Sequence, residues 1–305
     1  MDRITARKVD LSGNLTYKLT DNTLTKKLKN LPNFVGQLDV GNNLLTVLPT
    51  FTNYSYLDTL VKLDLFNNNI QTLVWEHIPT EVQYLYLQNN HLENLEIITE
   101  SNRCLQIKEL VLYYNKIHTV EGASIPSTVQ ILHLGLNQIT AVEDLSDLPL
   151  TQLNLAINEI SEIRGSYLPA SLVELDMSSN QLTKLANLSH TSLTYLSVGD
   201  NQLTEVRADF LPASLVQLDM RKNQLTKLAN LSHMSLIRLD VSDNELTEVR
   251  GNFLPTSLVR LWLYGNPLAQ TVNLTHLISL RELSVSDNDC QTYKQMLPNV
   301  NVYCR

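Results

Sequence analysis

Residues 172–182 read LVELDMSSNQL, and the frame returns as LTYLSVGDNQL (193–203), LVQLDMRKNQL (215–225) and LIRLDVSDNEL (236–246). The shared pattern is apolar-x-x-Leu-x-Leu-x-x-Asn-x-Leu, with Met or Val replacing some leucines. Leu175 and Met177 alternate with residues of the opposite face, which is the periodicity of a short strand. The asparagine then ends the strand. Its side chain both donates to and accepts from backbone groups, so it suits a buried turn where no regular helix satisfies the peptide.

The frame extends in both directions. Upstream it reads VGQLDVGNNLL (35–45), LVKLDLFNNNI (60–70), VQYLYLQNNHL (82–92), IKELVLYYNKI (107–117), VQILHLGLNQI (129–139) and LTQLNLAINEI (150–160). Downstream it reads LVRLWLYGNPL (258–268) and LRELSVSDNDC (280–290). A weak first copy, NLTYKLTDNTL (14–24), has Tyr17 and Leu19 at core positions. The asparagines form a ladder: Asn22, Asn43, Asn68, Asn90, Asn115, Asn137, Asn158, Asn180, Asn201, Asn223, Asn244, Asn266 and Asn288.

These copies resemble the leucine-rich repeat family. The expected fold is an α/β repeat solenoid, a curved horseshoe with a parallel β-sheet on its concave side. One repeat cannot fold alone. Its about five apolar side chains contribute roughly 1.5–3 kcal/mol each on burial, and fixing its backbone costs at least as much. Stacking on neighbours closes the gap. Most repeats are 21 or 22 residues long, too short for a full convex helix, so extended and 3-10 segments are expected there. Two longer spacings, Asn43 to Asn68 and Asn90 to Asn115, put extra residues near 50–57 and 97–104.

A second period overlies the first. QLTKLANLSHTSL (181–193) returns 43 residues later as QLTKLANLSHMSL (224–236), and LTEVRADFLPASL (203–215) as LTEVRGNFLPTSL (246–258). Two unlike repeats alternate, one with Leu-Pro before its strand. The expected organisation is a flank at 1–13, an array of about 13 repeats over 14–290, and a C-terminal cap at 291–305. In that cap Tyr293, Met296, Leu297 and Val300 are placed to cover the last core, and Cys290 and Cys304 are either disulfide-bonded or two buried thiols.

Composition narrows the function. The chain has 305 residues, 43% of them hydrophobic, and a formal net charge of -8. That charge argues against a nucleic-acid backbone as partner. No apolar run reaches the length of a membrane span. The start, MDRITARKVDLSGN, lacks a secretory signal, which points to the cell interior unless a signal has been removed. Three cysteines are too few for a disulfide scaffold. The sequons at Asn14, Asn53, Asn187, Asn230 and Asn273 match what chance gives with 30 asparagines, so they say little about compartment.

No nucleotide-binding, zinc or nucleophile motif occurs, so no catalysis, metal or cofactor is expected. His190, His233 and His276 follow Asn-Leu-Ser or Asn-Leu-Thr as copies of one position, roughly 10 Å apart if stacked, too far to share an ion.

The frame leaves certain residues on the open face of the strands. Most repeats place small or polar groups there, such as Glu174, Asp176, Ser178 and Ser179. The middle of the array instead shows Phe66, Tyr84, Tyr86, Val111, Tyr113, Tyr114, Ile131, His133, Leu136 and Ile157. Contiguous exposed apolar groups mark interaction sites, and Tyr is enriched where binding energy concentrates. An inserted loop or cap covering the patch is the competing reading. A second cluster comprises Arg221, Lys222, Arg238, Arg260, Trp262 and Tyr264, with Asp219 and Asp240 among them; a solvated strip balanced by its own aspartates competes there.

The resemblance implies a protein-interaction module that recognises a protein or peptide on its concave face, and a monomer is expected. Two narrower resemblances diverge. EGASIPSTVQILHLGLNQI (121–139) and VRGNFLPTSLVRLWLYGNPL (249–268) look like repeats preceding the tyrosine-kinase-like kinases of oomycetes. That implies a sensor ectodomain of a larger enzyme whose catalytic part lies elsewhere. The 21–22-residue units also resemble intracellular repeat proteins that regulate a Ser/Thr phosphatase, which usually carry a longer cap.

Overall fold

Each strand of the frame turns one set of side chains into the repeat and the other set outward. Leu63 and Leu65 are fully buried, whereas Lys62 and Asp64 on the same segment are half-buried on the outer face. A computed structural model describes residues 7–11, 19–31, 35–95 and 104–305. The chain divides into two units, Met1–Leu153 and Asn154–Arg305.

In the first unit the elements are β1 (Arg7–Asp10), α1 (Asp21–Leu28), β2 (Val35–Asp39), β3 (Lys62–Asp64), β4 (Tyr84–Tyr86), β5 (Glu109–Val111), β6 (Thr119–Val120), β7 (Ile131–His133) and β8 (Ala141–Val142). Strands β1 to β5 and β7 pair in parallel, in chain order. The small strands β6 and β8 form a separate parallel pair. Strand β9 (Gln152–Asn154) falls at the division. In the second unit, β10 (Glu174–Asp176), β11 (Tyr195–Ser197), β12 (Gln217–Asp219), β13 (Arg238–Asp240), β14 (Arg260–Trp262) and β15 (Glu282–Val285) pair in the same way. Helix α2 (Cys290–Met296) and β16 (Asn301–Cys304) follow. This is a leucine-rich repeat solenoid.

The asparagines cross-link the coils. Asn180 accepts the Ile160 N–H at 3.0 Å and donates to the carbonyls of Leu155 and Met177 at 2.9 and 3.1 Å. Asn90 does the same with Ile70, Leu65 and Leu87, each at 3.0 Å. Each amide thus ties its own turn to the turn before it. Asn288 breaks the series. It is exposed within a 3-10 turn, Asp287–Asp289, that runs directly into α2. The N–H it should accept, that of Leu268, goes instead to the carbonyl of Asn266 at 2.9 Å. The ladder pattern fails here because the next coil is a cap.

The other end also departs from the frame. Asn22 is not a rung: it lies in α1, where a reciprocal Thr20–Thr23 capping box starts a helix and Lys26 and Lys27 favour its C-terminal end. Leu24 and Leu28 are buried on its inner side. The core position expected of Tyr17, the sequon Asn14, most of the 1–13 flank and the extra residues at 97–103 lie outside the described residues.

The outer side carries 3-10 turns and extended chain, as expected from repeat length. Gly165–Tyr167, Ala208–Phe210 and Gly251–Phe253 are 3-10 turns at 43-residue intervals, each in a Leu-Pro repeat. The alternate repeats turn differently: Asn187, Asn230 and Asn273 accept the N–H two residues on at 3.0–3.1 Å. These sequon asparagines are Asx turns. His190 contacts the Leu168 carbonyl at 3.0 Å, whereas the Nε2 of its copy His276 is buried without a partner among the described residues.

At the C-terminus α2 lays Tyr293 and Leu297 over the last repeat, both buried, with Met296 and Val300 half-buried. The Val272 N–H donates to the Tyr293 hydroxyl at 3.0 Å. Cys290 and Cys304 are bonded as a disulfide, with Cys290 buried and Cys304 exposed. Among the described residues no helix is long and apolar enough to cross a membrane.

Candidate functional site

One backbone feature sets which side chains the sheet edge presents. The residue before each rung has a left-handed conformation, and in most repeats it is Asn, Asp, Gly or another small or polar residue: Asn42, Asn67, Asn89, Ser179, Asp200, Lys222, Asp243 and Gly265. Three repeats depart. Tyr114, Leu136 and Ile157 have φ of 60°, 56° and 57°. A left-handed non-glycine residue costs roughly 1–2 kcal/mol, and a β-branched one is a genuine outlier. Burial does not offset that cost, because the three are 57%, 40% and 50% exposed. Ile157 belongs to the second unit.

The first unit gathers Phe66, Tyr84, Tyr86, Tyr113, Tyr114, Ile131, His133 and Leu136 on strands β3, β4, β5 and β7 and the turns after them. Tyr84 and Tyr113 are exposed, while Phe66, Tyr86, Ile131 and His133 are half-buried. Val111 is not an exposed member. It is 6% exposed, because it pairs in register between Tyr86 and His133, whose longer side chains flank its short one.

Tyr86 is held from two sides. The Lys62 ammonium lies 4.4 Å from its ring centroid. Burial, then the Glu109 carboxylate that accepts its hydroxyl proton, pushes its pKa up to about 12. Phe66 lies against Gly41, where a Cβ would collide with the ring. Sequence reasoning missed Gly41; its signal is a glycine two residues after strand β2, where the ring of the next repeat needs room.

Beside these rings lies a cleft of about 550 Å³ lined by Asp64, Phe66, Asn67, Gln88, Asn89, Tyr113 and Tyr114. Asp64 accepts the Phe66 N–H at 3.2 Å. A surface amide chain runs along it: Asn67 donates to Asn42 at 2.7 Å and Asn89 donates to Asn67 at 2.8 Å. The Gln88 Oε1 is enclosed without a donor.

In the second unit the strand face carries Arg221, Lys222 and Arg238, exposed, and Arg260, Trp262 and Tyr264, half-buried. Two of these four cations meet a carboxylate, and Arg238 meets a neutral amide. Arg221 is 3.5 Å from Asp219, Arg260 is 3.0 Å from Glu282, and Arg238 donates to Gln217 at 3.1 Å. Arg305, which sequence reasoning missed, stands 5.1 Å from the Tyr264 ring centroid. Burial raises the Asp219 pKa, with Asp240 and Asp176 acting in the same sense against Arg221. Several of these aspartates also brace the backbone. Asp176, Asp219 and Asp240 each accept the N–H two residues on, at 2.9–3.0 Å.

No family model matches the chain, and no curated protein matches it. Solved structures do. The chain is similar to the leucine-rich repeat domain of APL1B, at 20% identity over 96% of this chain and 88% of that one, with a TM-score of 0.74. It is similar to YopM, a leucine-rich effector protein from Yersinia pestis, at 28% identity over 84% and 68%, with a TM-score of 0.67. It is also similar to a chain of the LRIM1/APL1C complex, at 22% identity over 87% and 55%, with a TM-score of 0.64.

Proposed function

The chain is a leucine-rich repeat protein, and on that footing we propose that it binds a protein partner on the open face of its sheet, without catalysing a reaction. The observation that carries this reading is the pair Tyr114 and Leu136, exposed apolar side chains on left-handed backbone. Stability favours Asn, Asp or Gly at that position. A bulky apolar group there lowers stability and gains nothing from burial, so its use lies outside the fold. Phe66, Tyr84 and Tyr113 stand on the same face in the same unit. The LRIM1/APL1C neighbour, itself a complex of two proteins, is consistent with this reading. The Arg/Trp face of the second unit is a secondary candidate. An acidic segment would have to compete there with Asp219, Glu282 and Gln217.

Affinity capture with the wild type and a Tyr113→Ala/Tyr114→Ala variant as baits tests the proposal. We expect the wild type to recover a specific protein set that the variant loses at an unchanged melting temperature. Equal recovery by both folded baits would refute the assignment.

A further inference from the structure

We propose that Asn187, Asn230 and Asn273 carry N-linked glycans, which places the chain in an oxidising compartment of the secretory route; this stands independently of the protein-binding reading above. Each begins an Asn-Leu-Ser or Asn-Leu-Thr triplet, the acceptor pattern for that modification. The number of sequons says little, and the placement of these three says more. In each triplet the middle leucine, Leu188, Leu231 or Leu274, is fully buried, while the asparagine and the hydroxyl residue flanking it are exposed. The Oδ1 of each asparagine accepts the N–H two residues on at 3.0–3.1 Å. The Nδ2, the atom that bears the sugar, takes no part in that bond. All three belong to the second unit and recur on its outer side every 43 residues, at least about 10 Å apart at ~4.8 Å per strand. Glycans there leave the strand face with Arg238 and Trp262 uncovered.

The turn itself does not demand asparagine. In the preceding copy of the position, Asp144-Leu145-Ser146, an aspartate makes the same turn: its Oδ1 accepts the Ser146 N–H at 3.1 Å and the Ser146 hydroxyl at 2.6 Å. A carboxylate cannot accept a sugar. Asparagine therefore adds to this turn an amide nitrogen that the fold leaves unused. The cap supplies the second observation. Cys290 and Cys304 are bonded as a disulfide in the same unit, and such bonds form and persist in the endoplasmic reticulum and outside the cell. The transfer needs no oxidant. The co-reactant is an oligosaccharide linked to a lipid diphosphate. The Asn Nδ2 bonds to C1 of the first sugar, the C1–O bond to the diphosphate breaks, the amide gives up one proton, and the lipid diphosphate leaves.

Mass spectrometry of the protein isolated from the cells that make it, digested and treated with peptide N-glycosidase in heavy-oxygen water, tests this. Asn187, Asn230 and Asn273 should each appear as heavy-oxygen aspartate. Alkylation before reduction should label Cys104 alone, the free cysteine. In the full chain secreted from eukaryotic cells, Asn187→Asp should remove one glycan. Once both proteins are deglycosylated, its melting temperature should equal that of the wild type, because Asp144 makes the same turn. Ser189→Ala should remove that glycan too, and Ser189→Thr should keep it. Any of the three asparagines wholly unmodified in the native protein, or thiol labelling at Cys290 and Cys304, would overturn the assignment.

Discussion

At the scale of one residue, an asparagine's effect depends on which backbone groups it serves. Asn180 and Asn223 each satisfy one N–H and bridge carbonyls of two coils. Leaving such groups bare costs roughly 1–3 kcal/mol each, so Asn180→Ala or Asn223→Ala should lose at least about 2 kcal/mol in urea unfolding. Asn288→Ala and the exposed Gln181→Ala should lose under about 0.5 kcal/mol. Equal losses at Asn180 and Asn288 would contradict the ladder. Tyr86 gives a second test at this scale. Its pKa of about 12 exceeds the ordinary 10.0, so the folded state holds the phenolic proton more tightly than the unfolded chain. Its contribution to stability is complete below pH 10 and is lost as pH rises through about 12. The ultraviolet titration of wild type minus Tyr86→Phe should show that midpoint, and Glu109→Gln should lower it.

At the scale of the element, the strand-to-turn junction is where fold and binding compete. Position by position the repeats place Asn, Asp, Gly, Ser or Lys on left-handed backbone, except where the apolar or aromatic Tyr114, Leu136 and Ile157 intervene. Replacing Tyr114 or Leu136 by Asn should raise stability by about 0.5–1 kcal/mol in thermal or urea unfolding, because Asn tolerates that conformation. Tyr114→Asn should also weaken partner capture. A variant that is less stable, or equally competent in capture, would show that the tyrosine serves the fold instead. In the Leu-Pro repeats the turn lies close to the next coil. Gly165–Tyr167 and Gly251–Phe253 begin at glycines whose Cβ would collide with the Asn187 and Asn273 carbonyls of the next coil. Ala208–Phe210 makes the same turn from an alanine.

At the scale of the whole molecule, a stacked array has ends, and each end exposes a core layer unless something covers it. Helix α2 and β16 cover one, and the Cys290–Cys304 disulfide ties them over a separation of 14 residues. A loop of that size contributes about 3 kcal/mol. Cys304→Ser should therefore lower the melting temperature under oxidising conditions and have no effect once reductant is present; identical melts in both conditions would mean that the bond carries no stability. The solenoid itself was legible in the one-dimensional pattern, because a leucine period and a recurring asparagine leave a chain of 21–22-residue units no other way to bury its apolar residues and satisfy its turns. The outward aromatics were legible too, since strand alternation assigns faces without coordinates. Beyond the reach of that pattern were the places where neighbours in space set the outcome. Val111 vanishes between two longer side chains, Asn22 is drawn into a capped helix, and Asn288 loses its rung to a cap. The cleft beside the rings is of the same kind. Asp64, Gln88 and Asn89 come from neighbouring repeats, and only the stacking of those coils sets them along one slot with Phe66, Tyr113 and Tyr114.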